Sequence, residues 1–401
     1  MPIVERIKNW AIKNIAFFLV ILRNTRPTIR FKAFAVVSRF TDVQEVLSRP
    51  DAFGVIYAEK MGVITGGGNF FLGMDNTATY TRDVSNMRLA VRRSDTETMI
   101  PAMIEGLTAA IVDVSNGSLD LVQELTQPVP AQLVDQYLGV PGPTQEELIN
   151  WSTDMFHYLF YPDTPAEIDE RAARYSALAR AYLDELIVTR KRDAAETDDV
   201  LARCLQLQGS GTPGMSDVDI RNNLIGIIIG AIPTTSKVAA LAIDYLLDRP
   251  ELLAAAQQAA RNDDMETIRK TVLETIRFNS FGAGLFRLAK QDYVIAKGTL
   301  RRAKILKGTK VLVLTQSAML DGRELTRPNT FRLDRPDYQY MHFGYGMHTC
   351  FGLYINMVQI TIIVKSILKL NNLRRVSGDE GIMQYDGPFP THLRVQFDRA
   401  V

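Results

Sequence analysis

Residues 341–354 read MHFGYGMHTCFGLY, placing one of the chain's two cysteines in a run of glycines and aromatics. Phe343, Gly346, Cys350 and Gly352 follow the spacing F-x-x-G-x-x-x-C-x-G. Glycines on both sides let the backbone turn tightly and approach a flat group closely. They also free amide N–H groups to point at a sulfur. A thiolate held this way at the start of a helix has a depressed pKa and is a good metal ligand. A buried structural cysteine is the commonest fate of a free one. Cys350 alone leaves both readings open.

Working outward, the segment after Cys350 (LYINMVQITIIVKSILKL) has helical character, and GLFRLAKQDYVIAKGTLRRAKILKGTKVLVLTQSA supplies strands before it. DMETIRKTVLETIRFN is a helix. VDIRNNLIGIIIGAIPTTSKVAALAIDYLLDRP, apolar nearly all round, is a helix expected to run through the centre of a globular body. From Thr81 to about Arg203 the pattern is helical, with breaks at GVPGP and YPDTP and a long amphipathic helix ending in TRKRD. Nearer the N-terminus, three consecutive glycines in GVITGGGNFF predict a mobile loop. Residues 28–58 predict a hairpin leading into a short helix capped by Thr41. Helices dominate, so the residues predict a mostly α single domain with a minor β region.

In 401 residues, 46 Lys and Arg nearly balance 45 Asp and Glu, which argues against bulk attraction to nucleic acid or anionic membrane. Two cysteines, Cys204 and Cys350, make no disulfide framework and fit a reducing cytoplasm. The apolar IAFFLVIL near the N-terminus is well short of the roughly 20 residues a membrane-spanning helix needs, and predicts a packed N-terminal helix. A surface helix touching membrane is the other reading.

The 343–352 loop resembles the haem-ligand loop of the cytochrome P-450 family, in its soluble bacterial form, and the resemblance runs from about Arg30 to Phe397. It implies Cys350 as the axial thiolate ligand of iron in haem b. It further implies Phe343 and Gly344 against the haem, and His348 on a propionate. No C-x-x-C-H is present, so the haem is expected to be non-covalent. The family's Glu-x-x-Arg helix has two candidates, at Glu266–Arg269 and Glu274–Arg277. Arg287 follows Arg277 at the family spacing for a propionate-binding arginine, which selects the second. Arg335 matches the third member of the family's Glu-Arg-Arg network, so Glu274, Arg277 and Arg335 take a structural role by the same resemblance. The implied fold is mainly α with a minor β region: a triangular prism-like single domain over residues 1–401, with a long central helix over the haem and an N-terminal helix or extension at 1–27.

Two positions depart from the family pattern. Thr234 matches the oxygen-activation threonine, but Pro233 stands where the acid belongs. Proline cannot donate, accept or relay a proton. Thr234, helped by ordered water and by Thr235 or Ser236, then delivers protons in an O2-dependent monooxygenase; the alternative is an enzyme fed by peroxide or an organic hydroperoxide. A non-catalytic haem sensor or carrier is the more remote reading. In the second departure, Tyr80 and Val84 replace the family's propionate-binding His and Arg. A tyrosine hydroxyl can still donate to a carboxylate.

A family-type pocket draws on the 66–72 loop, Phe156, Phe160, Ile228, Ala231, Phe281, Gly284 and Phe389, nearly all apolar, and implies a hydrophobic substrate: lipid, terpenoid, steroid or aromatic. Electrons would come from a separate ferredoxin and ferredoxin reductase, docking on a basic face of Arg88, Arg92 and Arg93.

Overall fold

The computed structural model describes residues 15–161, 164–193 and 197–398. Its chain divides into two compact units, each assembled from separated segments: residues 1–56 with 282–350, and residues 57–281 with 351–401. Positions 1–14 of the expected N-terminal helix, and Pro162 and Asp163 of the expected break, lie outside the described residues.

The first unit is built on a five-stranded sheet. Its order is Thr28–Arg30, Phe34–Val37, Lys310–Val313, Leu285–Ala289, Phe53–Gly54. Phe34–Val37 runs parallel to Lys310–Val313, and the other neighbours are antiparallel. Alternation puts Ala35, Val37, Val311 and Val313 on a core face shared with Phe40, Val43 and Val46 of the Phe40–Leu47 helix. That helix begins two residues earlier than the Thr41 cap predicts. Extended Arg39 occupies the cap position without a side-chain cap, while Thr41 Oγ1 donates to Asp42 at 3.3 Å. The Ile15–Thr25 helix is tied down by Arg23, which is buried and donates to the carbonyl and hydroxyl of Ser317 at 2.8 and 3.0 Å.

The second unit is helical around the Asp217–Leu247 helix. Ser216 and Asp219 start this helix with reciprocal side-chain and backbone bonds. It packs against the helices Gln145–Phe160, Ala166–Asp193, Met265–Phe278 and Leu353–Leu368. Although long and apolar enough to cross a membrane, it has 72% of its most apolar window buried inside the protein. Two small β elements fall where only helix, or nothing, was expected: the sheet Ser118–Asp120, Arg394–Gln396, Arg374–Arg375, and the hairpin Gln384–Asp386 with Phe389–His392. The three-glycine segment is held by hydrogen bonds. Gly67 N–H donates to Gly62 O at 2.7 Å and Thr65 Oγ1 to Gly68 O at 2.8 Å.

Candidate active site

In the first unit, the cysteine loop turns on two left-handed glycines, Gly344 (φ 77°) and Gly346 (φ 73°). At Gly346 a Cβ would lie 2.6 Å from the Leu47 carbonyl oxygen, so only glycine lets the loop lie against the end of the Phe40–Leu47 helix. Tyr345 packs on the sheet core. Cys350 N–H donates to Phe343 O at 2.8 Å, and Thr349 Oγ1 to Gly346 O at 2.8 Å, which closes the turn just ahead of the Leu353–Leu368 helix. Cys350 is half-buried and in no disulfide among the described residues, and His348 ends the short helical turn Gly346–His348 two residues before it. Cys204 is the opposite case. It is fully buried, 4.0 Å from Met87 Sδ, with its thiol pushed up to about 12 by burial, as befits an inert core residue.

Among the described residues no group of three or more His, Cys, Asp or Glu could hold a metal ion. A single accessible sulfur on a glycine turn therefore suits an iron that brings its remaining ligands with it, as in a macrocycle. That donor set fits haem, with Cys350 as its one protein ligand. Arg287, on the Leu285–Ala289 strand of this unit, is buried and donates to Phe286 O at 2.8 Å. Arg335, also buried, donates to the carbonyls of Thr326, Arg327 and Thr330 at 2.8–3.0 Å. Gly284 has a packing explanation: a Cβ there would sit 2.0 Å from Val313 O, so it serves strand contact.

The other expected residues lie in the second unit. Of the two Glu-x-x-Arg candidates, Glu266–Arg269 is an exposed pair, whereas Glu274 and Arg277 are both 0% exposed and joined by two bonds of 2.8 Å. Tyr80 is half-buried on the Ala78–Ala90 helix. Burial raises its phenol pKa, and Arg88 opposes that shift. The central helix is unbroken through Pro233. Ile227, Gly230, Ala231, Thr234 and Val238 form a half-open stripe at helical spacing along it, and a Cβ at Gly230 would meet nothing within 4 Å. Thr234 Oγ1 donates to the Gly230 carbonyl, leaving its lone pairs free to accept from a water.

Thr235 and Ser236 point elsewhere. Thr235 is fully buried, donating to Asn356 Oδ1 at 3.3 Å and accepting from Gln359 Nε2 at 3.0 Å, while Ser236 Oγ lies 3.0 Å from Thr126 Oγ1. Both hydroxyls are engaged in helix packing, which leaves Thr234 as the hydroxyl on the open stripe. Asn356 and Gln359 are polar residues in an apolar helix that the sequence reading passed over.

The expected pocket residues separate into two groups. Phe156 meets the Phe281 and Phe389 rings edge-on at 5.9 and 5.7 Å and stacks on Phe160 at 4.3 Å, forming an aromatic wall. Phe160 continues to Tyr57 at 5.0 Å. Ile228 instead lines a small apolar cavity with Trp151, Met155, Leu183 and Ile225, whose lining includes none of the wall's rings.

A family model described as Cytochrome P450 matches residues 28–390. Cytochrome P450 109 of Bacillus spizizenii is 24% identical over 366 residues, covering 88% of this chain and 83% of its own. Steroid C26-monooxygenase of Mycolicibacterium smegmatis is 26% identical over 253 residues, covering 63% and 60%. Among solved structures, P450BioI in complex with hexadec-9Z-enoic acid ligated acyl carrier protein matches the fold with a TM-score of 0.80 at 20% identity, over 97% of this chain and 100% of that one. The family match extends over nearly the whole chain and includes the thiolate turn, so this chain belongs to the cytochrome P450 family of haem-thiolate monooxygenases, which bind haem b non-covalently.

Proposed function

We propose that this protein is an O2-dependent monooxygenase that hydroxylates a hydrophobic small molecule in the cytoplasm, drawing electrons from a separate ferredoxin and ferredoxin reductase. Bound haem supplies oxygen activation, with the thiolate pushing electron density toward O–O cleavage. Thr234 on the half-open stripe of the central helix carries the reading. Its hydroxyl proton is committed to Gly230, so it accepts a hydrogen bond and orients a water that serves as proton source. The aromatic wall supports an apolar substrate, and a relative named for a steroid points to the same class. Tyr80, His348 and Arg287 are the proposed propionate partners.

Pro233 favours a second reading, peroxide use, because the carboxyl that would pass protons is missing. Product formation from reductant plus O2, compared with product formation from hydrogen peroxide alone, separates the two. Turnover with reductant and O2 is expected, and efficient turnover only with peroxide would overturn the first reading. A thiolate-type ferrous–CO spectrum, lost in Cys350→Ala, tests the ligand itself.

A further inference from the structure

Between Arg221 and Asp244 the central helix carries one charged side chain, Lys237. It is 7% exposed, and among the described residues it has no hydrogen-bond or ion-pair partner. Its Nζ lies 4.5 Å from the Phe281 ring centroid and 5.7 Å from that of Phe389, the two rings that Phe156 joins edge-on. The carboxylates next along the helix are already engaged, Asp219 with Ser216 and Asp244 with Arg375 at 2.9 Å. Two ring faces return only part of the hydration that a buried ammonium gives up. A cation placed on the aromatic wall one helical turn beyond Thr234, without a counter-charge, is therefore incomplete as the protein stands.

We propose that Lys237 completes its site with the carboxylate of the substrate: the aromatic wall takes an apolar body, and the ammonium anchors its anionic head. This rests on reading the wall as the substrate pocket, and it narrows a hydrophobic substrate to a hydrophobic acid. The anchor makes Lys237 a specificity-determining residue, and it leaves the chemistry to haem and Thr234.

Calorimetric binding to the haem-loaded protein tests it with two matched pairs, dodecanoate with its methyl ester and cholanoate with its methyl ester. At least one acid should bind ten-fold or more tighter than its ester. Lys237→Met should abolish that preference while the ester binds as before, which also shows that the variant is folded. Equal binding of acid and ester, binding of neither acid, or an acid preference that survives Lys237→Met would each overturn the proposal. Binding needs no electron transfer, so a failure here is distinct from loss of the ferrous–CO signature or of turnover, which would count against the monooxygenase reading.

Discussion

Pro233 takes one N–H out of the central helix, and a proline in an ordinary helix interior costs roughly 3 kcal/mol. A chain that retains it gives up both a helical bond and the family's acid beside Thr234. If proton delivery limits turnover, Pro233→Asp should raise the product formed per reductant consumed several-fold, measured with O2 and a surrogate ferredoxin system; unchanged coupling contradicts that account. Lys237 is the second costly residue on this helix. Burial alone lowers its ammonium from 10.5 to about 8, with no charged neighbour contributing. Because the folded pKa is the lower one, the unfolded chain holds more protons between these values, and stability rises with pH across that window. The destabilisation is complete below about pH 8 and fades toward 10.5. Lys237→Met should therefore stabilise the ligand-free protein by about 3 kcal/mol at pH 7, and the gain should vanish near pH 10.5 in denaturant titrations. Lys237 was visible in the sequence as a lone charge in an apolar run. That two aromatic rings and no carboxylate meet it among the described residues was not, because Phe281 and Phe389 come to it from distant parts of the chain.

At the scale of elements, long periodic segments were legible and short paired ones were not. The central helix and Met265–Phe278 were marked by composition over many residues. Ser118–Asp120 is three residues long and exists because Arg394 pairs with Asp120, a relation that no local window contains. The two Glu-x-x-Arg segments are locally alike; the spacing from Arg277 to Arg287 selected the second by resemblance, and in the structure burial separates them. Glu274→Ala removes the carboxylate bound to a fully buried guanidinium and should cost about 3–5 kcal/mol. Glu266→Ala, on the exposed turn, should cost less than about 1 kcal/mol. Chemical denaturation of the two haem-loaded variants side by side checks the contrast, and similar midpoints would remove the structural role assigned to Glu274. Of the candidate site, the cysteine turn could be read because its glycines are chemically required. The commitment of Thr235 to Asn356 and Gln359 could not, since it depends on the face to which the helix turns it.

At the scale of the whole molecule, neither unit is a continuous piece of chain. A fragment ending at Phe281 keeps Phe34–Val37 but lacks Lys310–Val313, its parallel partner, and Leu285–Ala289 beyond. Such a fragment should be recovered as aggregate, whereas the 401-residue chain should be recovered in the soluble fraction under the same expression conditions; a soluble, folded fragment would show that the first unit's sheet is dispensable. The same pairing sets a clock on synthesis. The FAVV strand at 34–37 leaves the ribosome early, and its partner at 310–313 follows only on the order of tens of seconds later at ordinary elongation rates. Throughout that interval an apolar β-branched edge stands open in the cell, so the yield of this protein should depend on chaperone supply and on the speed of translation.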